Sequence, residues 1–215
     1  MAKNVLVVGA GRFGAYTTKT LAELGHEVMI VDRNENKVTE LLPYVTGAEI
    51  GDCTNETFMK SLGVDEFDLC IVAIGDNFTS SLEAASILKD LGAKKVVARA
   101  TSERQERLLL RCGADQTVYP EQQLGRWTAI RYSLDNVFEY MDMPDNHAIL
   151  KVAVPPEWDG RRIGELGVRR QFGINILGVE QGTMNLSVSA DIMLHSGDNV
   201  LVLGQYDNLR RVFHL

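Results

Sequence analysis

The segment Gly9-Ala10-Gly11-Arg12-Phe13-Gly14 follows the apolar run Asn4-Val5-Leu6-Val7-Val8 directly and opens an amphipathic stretch that continues to Leu24. Strand, G-x-G-x-x-G and helix in that order restrict the chain to few folds, because each glycine answers a separate steric demand. Gly9 permits a tight turn, Gly11 lets the backbone approach a pyrophosphate, and Gly14 allows the helix to pack closely on the strand. The N–H groups exposed at the helix start, with its positive dipole end, then favour an anion. Asp32 closes the next apolar run, 18 positions after Gly14. A carboxylate there accepts from ribose hydroxyls and repels a 2′-phosphate, so NAD, ATP, ADP or AMP is favoured over NADP. Arg33 beside it serves either to stack on an adenine or to meet a 2′-phosphate.

Apolar runs recur at Val5–Val8, Val28–Val31, Ala48–Ile50, Leu69–Ile74, Lys95–Ala98 and, more weakly, Gln116–Tyr119, with amphipathic stretches between them. Several are continuously apolar, the pattern of strands buried on both faces. The fold class expected is α/β, a Rossmann-like doubly wound parallel sheet. One helix carries the stripe Phe78, Leu82, Ala85, Leu88, Leu91; another starts with the capping box Ser102-Glu103-Arg104-Gln105. After Pro120 the pattern reads as a long helix to about Met141 that leaves the sheet. Met143-Pro144-Asp145-Asn146 marks a boundary, dividing the chain into a nucleotide-binding domain, residues 1–141, and a smaller α+β lobe, residues 146–215. That lobe is expected to hold strands at Ala148–Val154, Ile174–Val179, Leu186–Val188 and Val200–Leu203. A short helix is expected at Ile163–Gly167, and a hairpin connection at Gln181-Gly182-Thr183-Met184.

In an open parallel sheet, ligands lie outside the carboxyl ends of the strands. Gly51-Asp52-Cys53-Thr54, Ala73-Ile74-Gly75-Asp76-Asn77 and Arg99 all follow strands and join the candidate site there. Ala73 and Gly75 are small and leave room. Asp52 serves either the ligand or as the cap of a helix beginning at Thr54.

With 22 Lys plus Arg against 29 Asp plus Glu, the net charge is −7, and the basic footprint of a nucleic-acid binder is missing. No apolar run approaches the ~20 residues of a membrane span, and no signal-peptide pattern is present, so a cytoplasmic protein is expected. Cys53, Cys70 and Cys112 lack metal or disulfide spacing, and the four histidines form no ligand pair. No nucleophile–base set accompanies the nucleotide motif, which favours a sensor over an enzyme. An NAD-dependent oxidoreductase remains the alternative.

The glycine motif, Gly51-Asp52-Cys53-Thr54, Val72-Ala73-Ile74-Gly75 and Gly113-Ala114-Asp115 with Tyr119-Pro120-Glu121 together resemble an RCK (KTN) protein. The similarity is to the cytosolic regulatory subunits of Ktr-type potassium transporters, with Trk-type subunits nearby. It covers essentially the whole chain. It implies a homo-oligomer of dimers, an octameric ring, beneath a membrane-embedded potassium transporter subunit at the inner face of the plasma membrane. It also implies gating by ATP or ADP, with NAD or NADH as the alternative in Trk-like relatives.

By the same resemblance Arg12 reaches the terminal phosphate of ATP, and Arg99 takes a position that is usually basic. Glu121 holds a divalent ion, Mg or Ca, unless it is simply a favourable acid in a helix's first turn. Cys53 stands where the family often has Ala, a small residue for a small one. The C-terminal lobe of such subunits can bind cyclic di-AMP. Arg161, Arg162, Arg169 and Arg170 with Asn175 would supply the phosphate partners, or else form a solvated charged face.

Overall fold

The computed structural model describes all residues, Met1–Leu215, which pack into two units, Met1–Gln122 and Gln123–Leu215. In the first unit β1 (Asn4–Val8), β2 (Glu27–Asp32), β3 (Gly47–Ile50), β4 (Leu69–Val72), β5 (Val96–Arg99) and β6 (Gln116–Val118) form one sheet in the order β3-β2-β1-β4-β5-β6. Every pairing is parallel. Between and after the strands come α1 (Arg12–Glu23), α2 (Glu35–Thr39), α3 (Glu56–Ser61), α4 (Phe78–Asp90), α5 (Glu103–Arg111) and α6 (Pro120–Ser133). The strand order reverses between β1 and β4, which opens the crevice where such sheets take their ligands.

Strand parity explains the uninterrupted apolar runs. Side chains alternate across a sheet, so Leu6 and Val8 of β1 join one core with Met59, Leu88 and Leu109. Val5 and Val7 join a second core on the opposite face, with Ile30, Val38 and Leu41. The α4 stripe lies in the first core as expected, with Ala85 and Leu88 buried and Phe78, Leu82 and Leu91 half-buried against it. The Ser102 cap is present, its hydroxyl accepting from Gln105 N at 3.3 Å. The reciprocal arm differs: Gln105 Oε1 accepts from Thr101 N and Thr101 Oγ1, one residue earlier than a capping box requires.

In the second unit β7 (Val137–Met143), β8 (His147–Ala153), β9 (Asn175–Gln181), β10 (Thr183–Asn185) and β11 (Asn199–Gln205) form an antiparallel sheet in the order β10-β9-β11-β8-β7. With α7 (Ile163–Leu166), α8 (Val168–Phe172) and α9 (Tyr206–Phe213) they enclose a core around Leu150, Val152, Val202, Leu209 and Phe213.

Two expectations fail here. The helix after Pro120 stops at Ser133 instead of Met141, because residues 137–143 pair with β8 through a reversal in which Asp145 and Asn146 both take positive φ. The strand expected at Leu186–Val188 does not form. Asn185 Oδ1 accepts from Ser187 N at 2.9 Å, turning the chain away after β10 and leaving Leu186 exposed. The first compact unit accordingly ends at Gln122, inside α6, while the half-buried Trp127, Ile130 and Leu134 pack on the second unit's core.

Candidate functional site

The carboxyl ends of β1 to β5 gather most of the expected residues. Gly9 has φ +105°, and its N–H donates to the Val31 carbonyl at 2.7 Å, bending the chain tightly from β1 into α1. A Cβ on Gly14 would lie 1.9 Å from the Gly9 carbonyl oxygen and 3.1 Å from Ala73 Cβ, so helix and turn fit only around a glycine. A Cβ on Gly11 would meet nothing within 4 Å. That position leaves open space, as backbone approach by a pyrophosphate requires. No side chain caps α1, so its first-turn N–H groups have no side-chain acceptor, as an anion site at a helix start requires.

Asp32 locks this turn. Its Oδ2 accepts from Ala10 N at 2.6 Å and its Oδ1 from Asn34 N at 2.8 Å. Each carboxylate oxygen keeps acceptor capacity for a ribose hydroxyl. Arg12 and Arg33 are both exposed, Arg12 on the first turn of α1. The Ala10 amide is a functional group that the motif alone conceals, because its role appears only once Asp32 is folded against it.

On the β3 side, Asp52 Oδ1 accepts from Thr54 N at 2.9 Å and Thr54 Oγ1 at 2.8 Å. These bonds hold its carboxyl below the usual range. Asp52 is therefore not the cap of α3. That helix starts at Glu56, and Asn55 caps it by accepting from Phe58 N at 3.0 Å. The Phe58 ring lies over Gly51, where a Cβ would be 2.3 Å from it. Burial and the neighbouring Asp52 push the Cys53 thiol up to about 11, so it stays neutral. Cys53 is half-buried and packs against the core that holds Val8, Val31 and Met59.

On the β4–β5 side, Asn77 caps α4 by accepting from Ser80 N at 3.1 Å. Ile74 packs over Gly9, 3.2 Å from where its Cβ would be. Arg99, with a side chain only 20 % exposed, lays its guanidinium over Gly75, 5.6 Å from the centre of the Phe13 ring. It donates through Nη2 to Glu121 Oε1, and its Nε is buried without a partner. Burial opposes ionisation of Glu121, yet its own backbone N–H and Arg99 hold the carboxyl below the ordinary range. No three His, Cys, Asp or Glu side chains cluster as a metal cage. A divalent ion at Glu121 would take its remaining ligands from phosphate and water, as Mg²⁺ commonly does.

The second unit carries a concavity of about 410 Å³ lined by Ile163, Gly164, Arg169, Arg170, Ile174 and Asn175, among others. The four arginines are divided. Arg169 and Arg170 line it with Asn175, while Arg162 Nη1 donates to the Asp191 carbonyl at 2.7 Å and Arg161 Nη2 to the Glu165 carbonyl at 3.3 Å. Sequence adjacency did not separate the lining pair from the bracing pair.

No helix is long and apolar enough to cross a membrane. Residues 5–120 match the TrkA-N domain family and residues 147–215 the TrkA-C domain family. The chain is 34% identical to Ktr system potassium uptake protein C of Bacillus subtilis, over 98% of this chain and 96% of that one. It is 33% identical to protein A of the same system and organism, over 97% and 95%. Among solved structures it resembles the GsuK RCK domain (TM-score 0.67, 20% identity), covering 100% of this chain and 48% of that one. It also resembles the GsuK channel bound to NAD (TM-score 0.69, 21% identity), covering 99% and 40%. The chain thus spans less than half of those structures' length, and at such identity they speak for the fold alone. Together, matches across both lobes and full-length relatives above 30% identity mean that the chain belongs to the family of Ktr system potassium uptake proteins, with a TrkA-N domain followed by a TrkA-C domain.

Proposed function

We propose that the chain is a nucleotide-sensing regulatory subunit that gates a membrane-embedded potassium transporter, with ATP and ADP as the competing ligands. The observation that carries the ligand class is the uncapped start of α1 over an open Gly11, locked by Asp32. In this reading the α1 N–H groups hold the phosphates and Asp32 the ribose. Arg33, Asp52, Cys53, Ala73, Ile74, Gly75 and Asn77 shape the walls, and Arg99 neutralises phosphate charge beside Phe13. Arg12 stands exposed at the helix start, free to reach a terminal phosphate, and discriminates ATP from ADP by the added charge. Glu121 contributes a carboxylate to Mg²⁺ or Ca²⁺ bridged by the phosphates.

The chain assembles as dimers within an octameric ring in the cytoplasm, beneath its transporter partner. The first compact unit, Met1–Gln122, forms the sensing portion, and the second, Gln123–Leu215, the regulatory portion. The second unit takes cyclic di-AMP in the concavity lined by Arg169, Arg170 and Asn175, with the two arginines as phosphate donors. The chain acts by changing shape and not by turnover.

Calorimetric titration of ATP, ADP, NAD and NADH, with and without Mg²⁺ or Ca²⁺, tests the reading. Tighter ATP binding in the presence of the cation is expected. A clear preference for NADH would instead assign the site to a Trk-like sensor and revive the oxidoreductase alternative, which turnover of carbonyl substrates would then decide.

A further inference from the structure

Arg99 and Glu121 each have a proposed role towards the nucleotide, yet in the folded chain they pair with each other. A guanidinium neutralised by a carboxylate is a weaker phosphate ligand, and the carboxylate is equally a weaker cation ligand. The pairing is also incomplete. Glu121 takes Nη2, while the buried Nε–H finds no acceptor. A buried donor left unmade is costly, and a phosphate oxygen could accept from it. Gly75 gives the guanidinium its seat: a Cβ there would lie 2.3 Å from Arg99 Nη1 and 2.7 Å from Cζ. Phe13, inside the glycine motif, presents its ring to the same guanidinium. Arg99 is therefore held at the phosphate end of the site, one donor short, by the residue assigned to the cation.

We infer that Arg99 and Glu121 form an exchange pair, in which a nucleotide phosphate takes the guanidinium away from Glu121 and the released carboxylate then takes the divalent cation. This rests on the nucleotide-binding reading and adds an order to it. The cation alone is opposed by Arg99. Nucleotide and cation then bind with positive coupling, and the coupling is reciprocal.

The test is a double-mutant cycle on the full chain, read as ADP affinity with and without Mg²⁺. Without Mg²⁺, Glu121→Gln frees the guanidinium and should tighten ADP about two- to fivefold, the range of a partly exposed ion pair. With Mg²⁺ the same variant should lose the cation-dependent gain, a crossing of effects that simple damage to the site does not produce. In the Arg99→Gln background the gain from Glu121→Gln should vanish. Should Arg99→Gln fold poorly, Gly75→Ala displaces the guanidinium without removing its charge and should abolish the same gain. Unchanged or weaker ADP binding by Glu121→Gln without Mg²⁺ overturns the exchange, as does an equal gain without Arg99. Those results leave nucleotide binding standing, whereas a wild-type chain that binds no adenine nucleotide removes both.

Discussion

Gly11 and Gly14 stand three positions apart in one motif and do different work. A methyl at Gly14 collides with the Gly9 carbonyl, which belongs to backbone and cannot rotate away. Gly14→Ala should therefore cost about 1–3 kcal/mol in stability as well as nucleotide binding, visible as a lowered melting temperature. Gly11→Ala meets open space, so its melting temperature should stay close to wild type while nucleotide affinity falls. Equal melting losses in both variants would contradict the assignment of Gly11 to the ligand. Asp32→Ala removes the acceptor for Ala10 N and the ribose partner together, and should weaken every adenine nucleotide. Arg12→Ala should weaken ATP selectively; calorimetry that finds equal losses for ATP and ADP would end its terminal-phosphate role.

At the scale of elements, the supports lie at the opposite ends of the strands from the site. Asp115, in the turn from α5 into β6, accepts from Lys89 Nζ of α4 at 2.7 Å and from Val96 N of β5 at 2.7 Å. The Lys89 bond first, and the Val96 amide second, hold its carboxyl below the ordinary value of 3.8. A carboxyl depressed on folding stabilises the protein above its unfolded pKa, and that contribution is lost as pH falls through the folded value. The stability advantage of wild type over Asp115→Asn should thus be present at neutral pH and fade in acid below 3.8. It should amount to about 1 kcal/mol or less, because the Lys89 contact is solvent-screened. Denaturant melts across pH check this, and an advantage that persists in strong acid would contradict it. Helix α6 draws its support differently. None of its residues is buried, and Arg126 pairs with Asp142 at 3.1 Å while lying over the Tyr140 and Tyr206 rings.

For the whole molecule, each apolar cluster lies within one unit: two flank the parallel sheet, and one fills the antiparallel lobe. Truncating a fully buried leucine costs about 2–5 kcal/mol through lost transfer energy and the cavity left behind. Leu150→Ala should lower the thermal transition of the second unit and Leu6→Ala that of the first. Scanning calorimetry with nucleotide added identifies the first unit as the one whose transition shifts upward. A single transition moved equally by both variants would show instead that the units melt as one.

What the residues determined by themselves was whatever depends on local spacing. The glycine motif between strand and helix, the acid closing β2 and the apolar runs of a doubly covered sheet are all consequences of short-range sterics and of side-chain parity. Tertiary structure decided what depends on residues distant in sequence. Pairing with β8 made 137–143 a strand, against a local pattern that continued the preceding helix. An Asx turn at Asn185 ended β10 before its apolar neighbours could join it. Folding also matched Arg99 with Glu121 across 22 positions and separated Arg169 and Arg170 from Arg161 and Arg162. A charged side chain's partner is set by where the backbone brings opposite charges and open space together, and no spacing rule along the chain encodes that.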